Sequence, residues 1–205
     1  MEIYKFLTSP IQVNTYLVWD DNNKGFIVDP GGYDKRLTIK AEELGIDIEY
    51  IVLTHGHGDH IGGVAGFKED FPNAKVVAYY LEQEMLNDER LNSSIDIFGY
   101  GISLDADIYV KDNEELKVGD MNLLFIFTPG HTKGGMSILV ENYLFSGDTL
   151  FRQSIGRTDF YGGSFEVLAK SIRERLYTLP DETVVLPGHM DETTIGLEKR
   201  GNPFV

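Results

Sequence analysis

Short apolar blocks, broken at intervals by Gly, Pro and Asp, run through this chain from its first residues. Glu2 to Leu7, Val13 to Trp19 and Gly25 to Val28 read as strands, with Asp20-Asp21-Asn22-Asn23-Lys24 as a polar turn between the second and third. A meander of antiparallel strands is expected there. Asp29-Pro30-Gly31-Gly32 stops the third strand, and Leu37, Ala41 and Leu44 then recur at helical spacing until Gly45 supplies a C-terminal stop. The run Ile51-Val52-Leu53 is short enough for a buried strand. Beyond it, Ile61 to Asp70 predicts a helix, Lys75 to Tyr80 a strand, and Leu81 to Leu91 a second helix rich in Glu. Residues 93–107 carry Ile95, Ile97, Phe98 and Tyr100 without a clear period. They read as an ordered loop whose apolar anchors either border a pocket or pack on the core.

In the second half, Met121 to Phe127 runs into Thr128-Pro129-Gly130, and Thr183 to Leu186 runs into Pro187-Gly188. Between them, Ser137 to Val140 and Tyr143 to Phe145 form a hairpin that leads to Ser146-Gly147-Asp148. Pro cannot continue a central strand and Gly allows the turn that follows, so these dipeptides mark strand ends. Leu168, Ile172, Leu176 and Leu179 lie on one face of a helix, with Ser164 as its cap. Strands and helices mixed in this way imply a layered α/β structure. The chain has 205 residues, 42% of them hydrophobic, and shows no linker or low-complexity segment, so one domain over residues 1–205 is expected.

The formal charge of −15 and the absence of a basic stripe argue against nucleic acid as a partner. The N-terminus lacks a basic region followed by a long apolar run, and no apolar stretch approaches a membrane span. A soluble cytoplasmic protein without membrane contact is the expectation. With no cysteine, disulfides are excluded and any metal must be held by nitrogen and oxygen.

The five histidines are not scattered. Three fall in Thr54-His55-Gly56-His57-Gly58-Asp59-His60, while His131 follows Thr-Pro-Gly and His189 follows Pro-Gly. Together with Asp148, they place ligand-type side chains just past four strand ends. His55 and His57, two apart, share a side only on extended backbone. With His131 they make a three-nitrogen set that leaves a position open, as catalytic zinc sites do. Asp59 and His60 face another direction and, with His189, form a second set, and Asp148 is the natural bridge between the two. Each residue alone has a bland explanation, since Asp59 suits a helix cap, Asp148 a turn, and a single histidine a hydrogen-bonded structural role. Their joint placement favours two metal ions.

His55-Gly56-His57-Gly58-Asp59-His60 resembles the His-x-His-x-Asp-His signature of the metallo-β-lactamase superfamily, with His131, Asp148 in Ser-Gly-Asp-Thr-Leu-Phe, and His189 matching its later ligands. The resemblance implies an αββα sandwich of two mixed β-sheets flanked by helices, with the metal site at one edge. Gly156-Arg157-Thr158-Asp159-Phe160 and the tail from Thr193 to Phe204 look like the short glyoxalase II-like branch, grouped with hydroxyacylglutathione hydrolases. Two departures stand out. The chain ends at Val205 without the C-terminal helical domain that carries much of the glutathione site in typical glyoxalase II enzymes, and Met190-Asp191 stands where this branch usually has Gly-Pro.

The implied activity is hydrolysis of a small-molecule thioester such as S-lactoylglutathione by a hydroxide shared between two divalent ions. Zinc is the expected metal, and iron or manganese also suits these donors. Asp59 orients the hydroxide as well as binding, Asp148 bridges, and Asp29 is either a hydrogen-bond partner of a ligand or a turn residue. Arg157 is the candidate contact for a substrate carboxylate, against the alternative of a salt bridge with Asp159; Tyr161, Lys133, Lys199 and Arg200 are weaker candidates. Persulfide dioxygenases share the fold and the Gly-Arg-Thr-Asp-Phe stretch, and would bind one iron through His55, His131 and Asp148. Another hydrolase of the superfamily, acting on a lactone or other ester, is a further alternative. A non-catalytic metal protein fits less well, because the ligand set leaves open positions.

Overall fold

The computed structural model describes all 205 residues, Met1 to Val205. Strands β1 (Glu2–Thr8), β2 (Val13–Trp19), β3 (Lys24–Val28), β4 (Asp47–Val52), β5 (Lys75–Tyr79) and β6 (Ile108–Val110) form one six-stranded sheet in that order. Its first pairs are antiparallel, and β3 to β6 run parallel. The second sheet joins β7 (Glu115–Val118), β8 (Met121–Phe127), β9 (Met136–Val140), β10 (Tyr143–Gly147), β13 (Val184–Pro187) and β14 (Thr193–Thr194), in the order β14-β13-β10-β9-β8-β7. Between β10 and β13, a two-stranded ribbon of β11 (Leu150–Phe151) and β12 (Ser154–Ile155) leaves the sheet.

Both faces of each sheet are buried, so the central strands read as nearly unbroken apolar runs. The strand period of two sorts their residues. Tyr16, Val18, Phe26 and Val28 meet Leu123, Phe125, Ile138 and Phe145 in the core between the sheets. The alternate residues Leu17, Ile27 and Ile51 face outward against Leu37 and Ala41 of α1 (Lys35–Leu44) and Phe67 of α3 (Val64–Asp70). On the other side, Ile126, Leu144 and Val185 meet Leu168 of α6 (Phe165–Ser171), Ile172 and Leu176 of the π-helical turn that follows it, and Ile195 of α7 (Ile195–Gly201). Helix, sheet, sheet, helix is the resulting stack, as the resemblance implied. No helix is long and apolar enough to cross a membrane.

Two helical expectations and one loop expectation need correction. The helix expected over Ile61 to Asp70 is two pieces, α2 (Gly58–Ile61) and α3. The backbone breaks at Gly62-Gly63, where Gly63 N–H donates to the Pro30 carbonyl at 2.6 Å and a Cβ on Gly62 would lie 2.5 Å from the Gly31 carbonyl oxygen. The expected helix over Leu81 to Leu91 is a 3₁₀ turn followed by α4 (Gln83–Leu86). It stops because the Asp88 carboxylate takes the Arg90 and Leu91 amides, at 2.9 and 3.2 Å, in place of helical carbonyls. The segment 93–107, expected as loop, contains α5 (Ser94–Phe98). By contrast, α1 ends at Gly45 with φ 65°, and the Ser164 hydroxyl caps α6, both as the sequence indicates.

Candidate metal centre

Strand directions bring the site together. β8 and β10 are both antiparallel to β9, and β13 is parallel to β10, so the C-terminal ends of all three lie at one edge of the second sheet. His131, Asp148 and His189 follow those ends. β4 delivers His55 and His57 from the first sheet, and the Met136 amide donates to the Thr54 carbonyl at 2.9 Å, tying the two sheets at that edge. Close approach is required here: a Cβ on Gly188 would stand 2.5 Å from Asp148 Oδ1 and 2.6 Å from His60 Cε1.

Side-chain donors of His55, His57 and His131 lie within 4.8 Å of one another, as do those of Asp59, His60 and His189. Asp148 sits between the groups, with Oδ1 3.4 Å from His60 Nε2 and Oδ2 3.6 Å from His131 Nε2 and 3.7 Å from His189 Nε2. All seven residues expected from the sequence therefore converge.

Hydrogen bonds behind the cluster determine which ring nitrogens are free. His131 Nδ1 is 2.7 Å from the Arg157 carbonyl oxygen, which can only accept, so that nitrogen carries the proton and Nε2 is left with a lone pair. His60 Nδ1 meets Asp29 Oδ2 at 2.9 Å with the same result. The Thr54 hydroxyl gives its proton to Asp29 Oδ2 at 2.6 Å, so it accepts from His55 Nδ1 at 3.1 Å and again leaves Nε2 free. His57 Nδ1 faces His131 Nε2 at 2.9 Å. The buried atoms His55 Nε2, His60 Nε2 and Asp148 Oδ1 have no hydrogen-bond partner, and neither does His57 Nε2. Lone pairs facing one another in a buried site call for positive charge among them, so the donor set suits divalent metal ions.

Electrostatics agree. Burial pushes His55 well below the usual imidazole range, with the neighbouring imidazoles adding to it. Burial also takes His57 down to about 3 and lowers His131. His60 runs the other way: burial opposes its charge, but Asp59, Asp148 and Asp29 outweigh it and hold the ring well above its ordinary value, so with no cation among these carboxylates Nε2 itself takes a proton, and a metal ion there would replace that proton. Burial likewise works against the charges of Asp59 and Asp148, yet His60 and its neighbouring imidazoles keep both carboxyls below the usual range.

A cavity of about 630 Å³ opens beside the cluster, lined in part by Ile11, Ile97, Phe151, Ile155, Phe160 and Met190. Arg157 lines it too, forked onto Asp159 at 3.0 and 2.7 Å and lying over the Phe160 ring at 4.3 Å. The weaker substrate candidates are engaged elsewhere: Lys133 bonds Tyr161 at 2.5 Å and Glu84 at 3.1 Å, and Lys199 and Arg200 both pair with Asp181. Two supporting residues carry no sequence signal. Glu82, buried beside α4, accepts the amides of Gly56 at 2.6 Å and Gly134 at 2.7 Å, clamping the His55/His57 loop to the His131 loop. Asn14 of β2 donates to the carbonyls of Pro187 and Met190, both at 2.9 Å, and so braces the His189 loop.

Residues 8–189 match the metallo-beta-lactamase superfamily. The chain is 36% identical to hydroxyacylglutathione hydrolase GloC of Haemophilus influenzae, over 100% of its own length and 98% of that relative's. Among solved structures, the BLEG-1 B3 metallo-beta-lactamase superposes with a TM-score of 0.93 at 37% identity, over 99% of each chain. TTHA1623, crystallised in a di-iron-bound form, superposes with a TM-score of 0.86 at 32% identity, over 98% of this chain and all of its own.

Proposed function

The chain belongs to the metallo-β-lactamase superfamily of metallo-hydrolases, and within it we propose that the protein hydrolyses thioesters such as S-lactoylglutathione at a centre of two divalent cations. His55, His57 and His131 would hold the first ion, Asp59, His60 and His189 the second, with Asp148 shared. The observation that carries this reading is the pair of three-donor groups joined through Asp148 and opening on the cavity. Similarity to GloC supports the thioester, and the di-iron form of TTHA1623 supports iron as an occupant beside the expected zinc, since nitrogen and oxygen donors accept either.

Bound at such a centre, two ions supply an activated water near neutral pH and a Lewis acid for the scissile carbonyl. The protein's own groups do the rest. Asp59, whose Oδ2 lies 3.2 Å from His189 Nε2, orients the attacking water, and Asp148 holds the two halves of the site in register. The Arg157 carbonyl and Asp29 fix the rings of His131 and His60. Arg157 presents its guanidinium at the cavity wall, where a substrate carboxylate would compete with Asp159. Water adds to the acyl carbon, the carbon–sulfur bond breaks, and a carboxylic acid and a thiol leave.

The test is metal quantification on protein purified without added metal, paired with an assay on S-lactoylglutathione. Two ions per chain and release of free thiol are expected. A single iron with dioxygen uptake on glutathione persulfide would establish the dioxygenase instead, and protein that neither retains metal nor turns over a thioester would overturn the proposal.

A further inference from the structure

Met190 is the only apolar residue among the nine non-glycine positions with positive φ, at 68°. Left-handed backbone crowds a Cβ against the following carbonyl oxygen, so a long apolar side chain is disfavoured there. Neighbouring bonds impose the conformation. Besides the two Asn14 side-chain bonds, the Asn14 amide donates to the Gly188 carbonyl at 2.7 Å and the Tyr16 hydroxyl to that of Pro187 at 2.8 Å. The Met190 side chain gains no burial to offset this: it is 58% exposed at the cavity, where Ile11 is also 51% exposed. Strain combined with an uncovered apolar group beside a reactive centre points to a ligand that covers it.

The rest of the wall indicates what that ligand is. Ile97, Phe151, Ile155 and Phe160 continue the apolar lining, and outside the donor cluster the charged lining residues are Asp96 and Arg157. A carboxylate must displace Asp159 to reach Arg157, and Asp96 adds negative charge to the wall. A substituent bearing several carboxylates thus finds one cation, already contested by Asp159, whereas a hydrocarbon finds an apolar wall in a cavity of small-molecule size. We infer that, on the thioester reading given above, the cavity selects substrates with an apolar substituent of several carbons beside the scissile carbonyl, and that Met190 and Ile11 are the specificity residues that read its length.

Two substrate series test this on the metal-loaded protein: glutathione thioesters with acyl groups from acetyl to octanoyl, and lactoyl thioesters of increasingly apolar thiols. Wild-type kcat/KM should rise in one series by up to about fourfold per methylene. The series that responds identifies the side of the bond that meets the wall. Met190→Gly, which relieves the backbone, should flatten that slope mainly through KM, and Met190→Leu should keep it. Calorimetric titration with hexanoate and with lactate gives a reading independent of turnover, with hexanoate expected to bind at least tenfold tighter to wild type and the preference lost in Met190→Gly. Flat slopes in both series, a wild-type slope in Met190→Gly, or, where the acyl series is the one that responds, equal binding of the two acids would overturn the inference. Failure to cleave any thioester, with the hexanoate preference intact, would sink the thioester reading alone.

Discussion

Asp29 Oδ2 sits 2.9 Å from His60 Nδ1, and the contact decides which nitrogen His60 can offer, leaving Nε2 turned toward Asp59 and Asp148 at 3.6 and 3.4 Å. The same carboxylate accepts the Thr54 amide at 2.7 Å and the Thr54 hydroxyl at 2.6 Å, so it binds the floor of both donor groups. Asp29→Asn is the informative change, because Asn tolerates the left-handed φ of 47° found there. Whichever way its amide turns, an NH₂ must face a donor. Affinity for the ion at the Asp59/His60/His189 group should fall about 10- to 100-fold, by the usual effect of losing a partner behind a metal ligand. Chelator titration followed by metal analysis measures it, and unchanged retention of both ions would remove Asp29 from this role.

Because Asp148 reaches His60, His131 and His189 together, its loss should differ in kind from the loss of a histidine. His131→Ala and His189→Ala should each cost one ion while largely keeping the other. Asp148→Ala should weaken both and lower turnover by at least about a hundredfold. Stoichiometry by mass spectrometry beside thioester turnover separates the cases. Full activity in Asp148→Ala would refute the bridging role.

Glu82 holds two glycine amides from different loops, and Gly56, Gly134 and the Glu82 side chain are all buried. Glu82→Ala leaves two buried N–H groups unpaired, a loss of about 1–3 kcal/mol for each. Glu82→Gln keeps one acceptor and turns an NH₂ toward the other amide, so it should fall between wild type and alanine. Urea melts of metal-free protein give the ranking. Retention of the ion at the His55/His57/His131 group should fall in the same order, and a normal site in Glu82→Ala would show that the loops hold their places without it.

The donor set was legible in the sequence because its members lie at punctuated strand ends, where Pro and Gly must fall for the chain to turn. The sandwich was legible because the buried strands leave unbroken apolar runs. Glu82 was not legible: it stands in an acidic stretch whose other members face water, and burial of one carboxylate among them leaves no mark on composition. The break at Gly62-Gly63 escaped because Ile61, Val64 and Phe67 keep a helical spacing across it, and it takes the facing Pro30–Gly32 backbone to show why this pair ends a helix. Asn14 lies far in sequence from the loop it braces, a pairing that only the sheet order creates. For Arg157 the structure shows the salt bridge with Asp159 and a place in the cavity wall, and a contact with a substrate carboxylate stays a proposal.

Asp112 and Arg175 form a forked pair at 2.8 and 3.0 Å that ties the π-helical turn after α6 to the end of β8, where the Phe127 amide also donates to Asp112 at 2.9 Å. Burial pushes the Asp112 carboxyl up, but Arg175 and the Phe127 amide outweigh it and the net shift is downward. A carboxyl held lower in the folded state than in the unfolded chain stabilises the fold above the unfolded value, about 3.9, and that contribution is lost as pH falls through the folded value. Both side chains are about one-third exposed, at 32% and 31%, so solvent screening keeps the pair to about 1 kcal/mol. Asp112→Asn should lower the melting temperature by about 2–4 °C at pH 7. The gap from wild type should narrow steadily as the buffer is taken from pH 5 toward pH 3. A gap that stays constant across that range would mean that the charge of Asp112 contributes nothing and its hydrogen bond to Phe127 accounts for the whole effect.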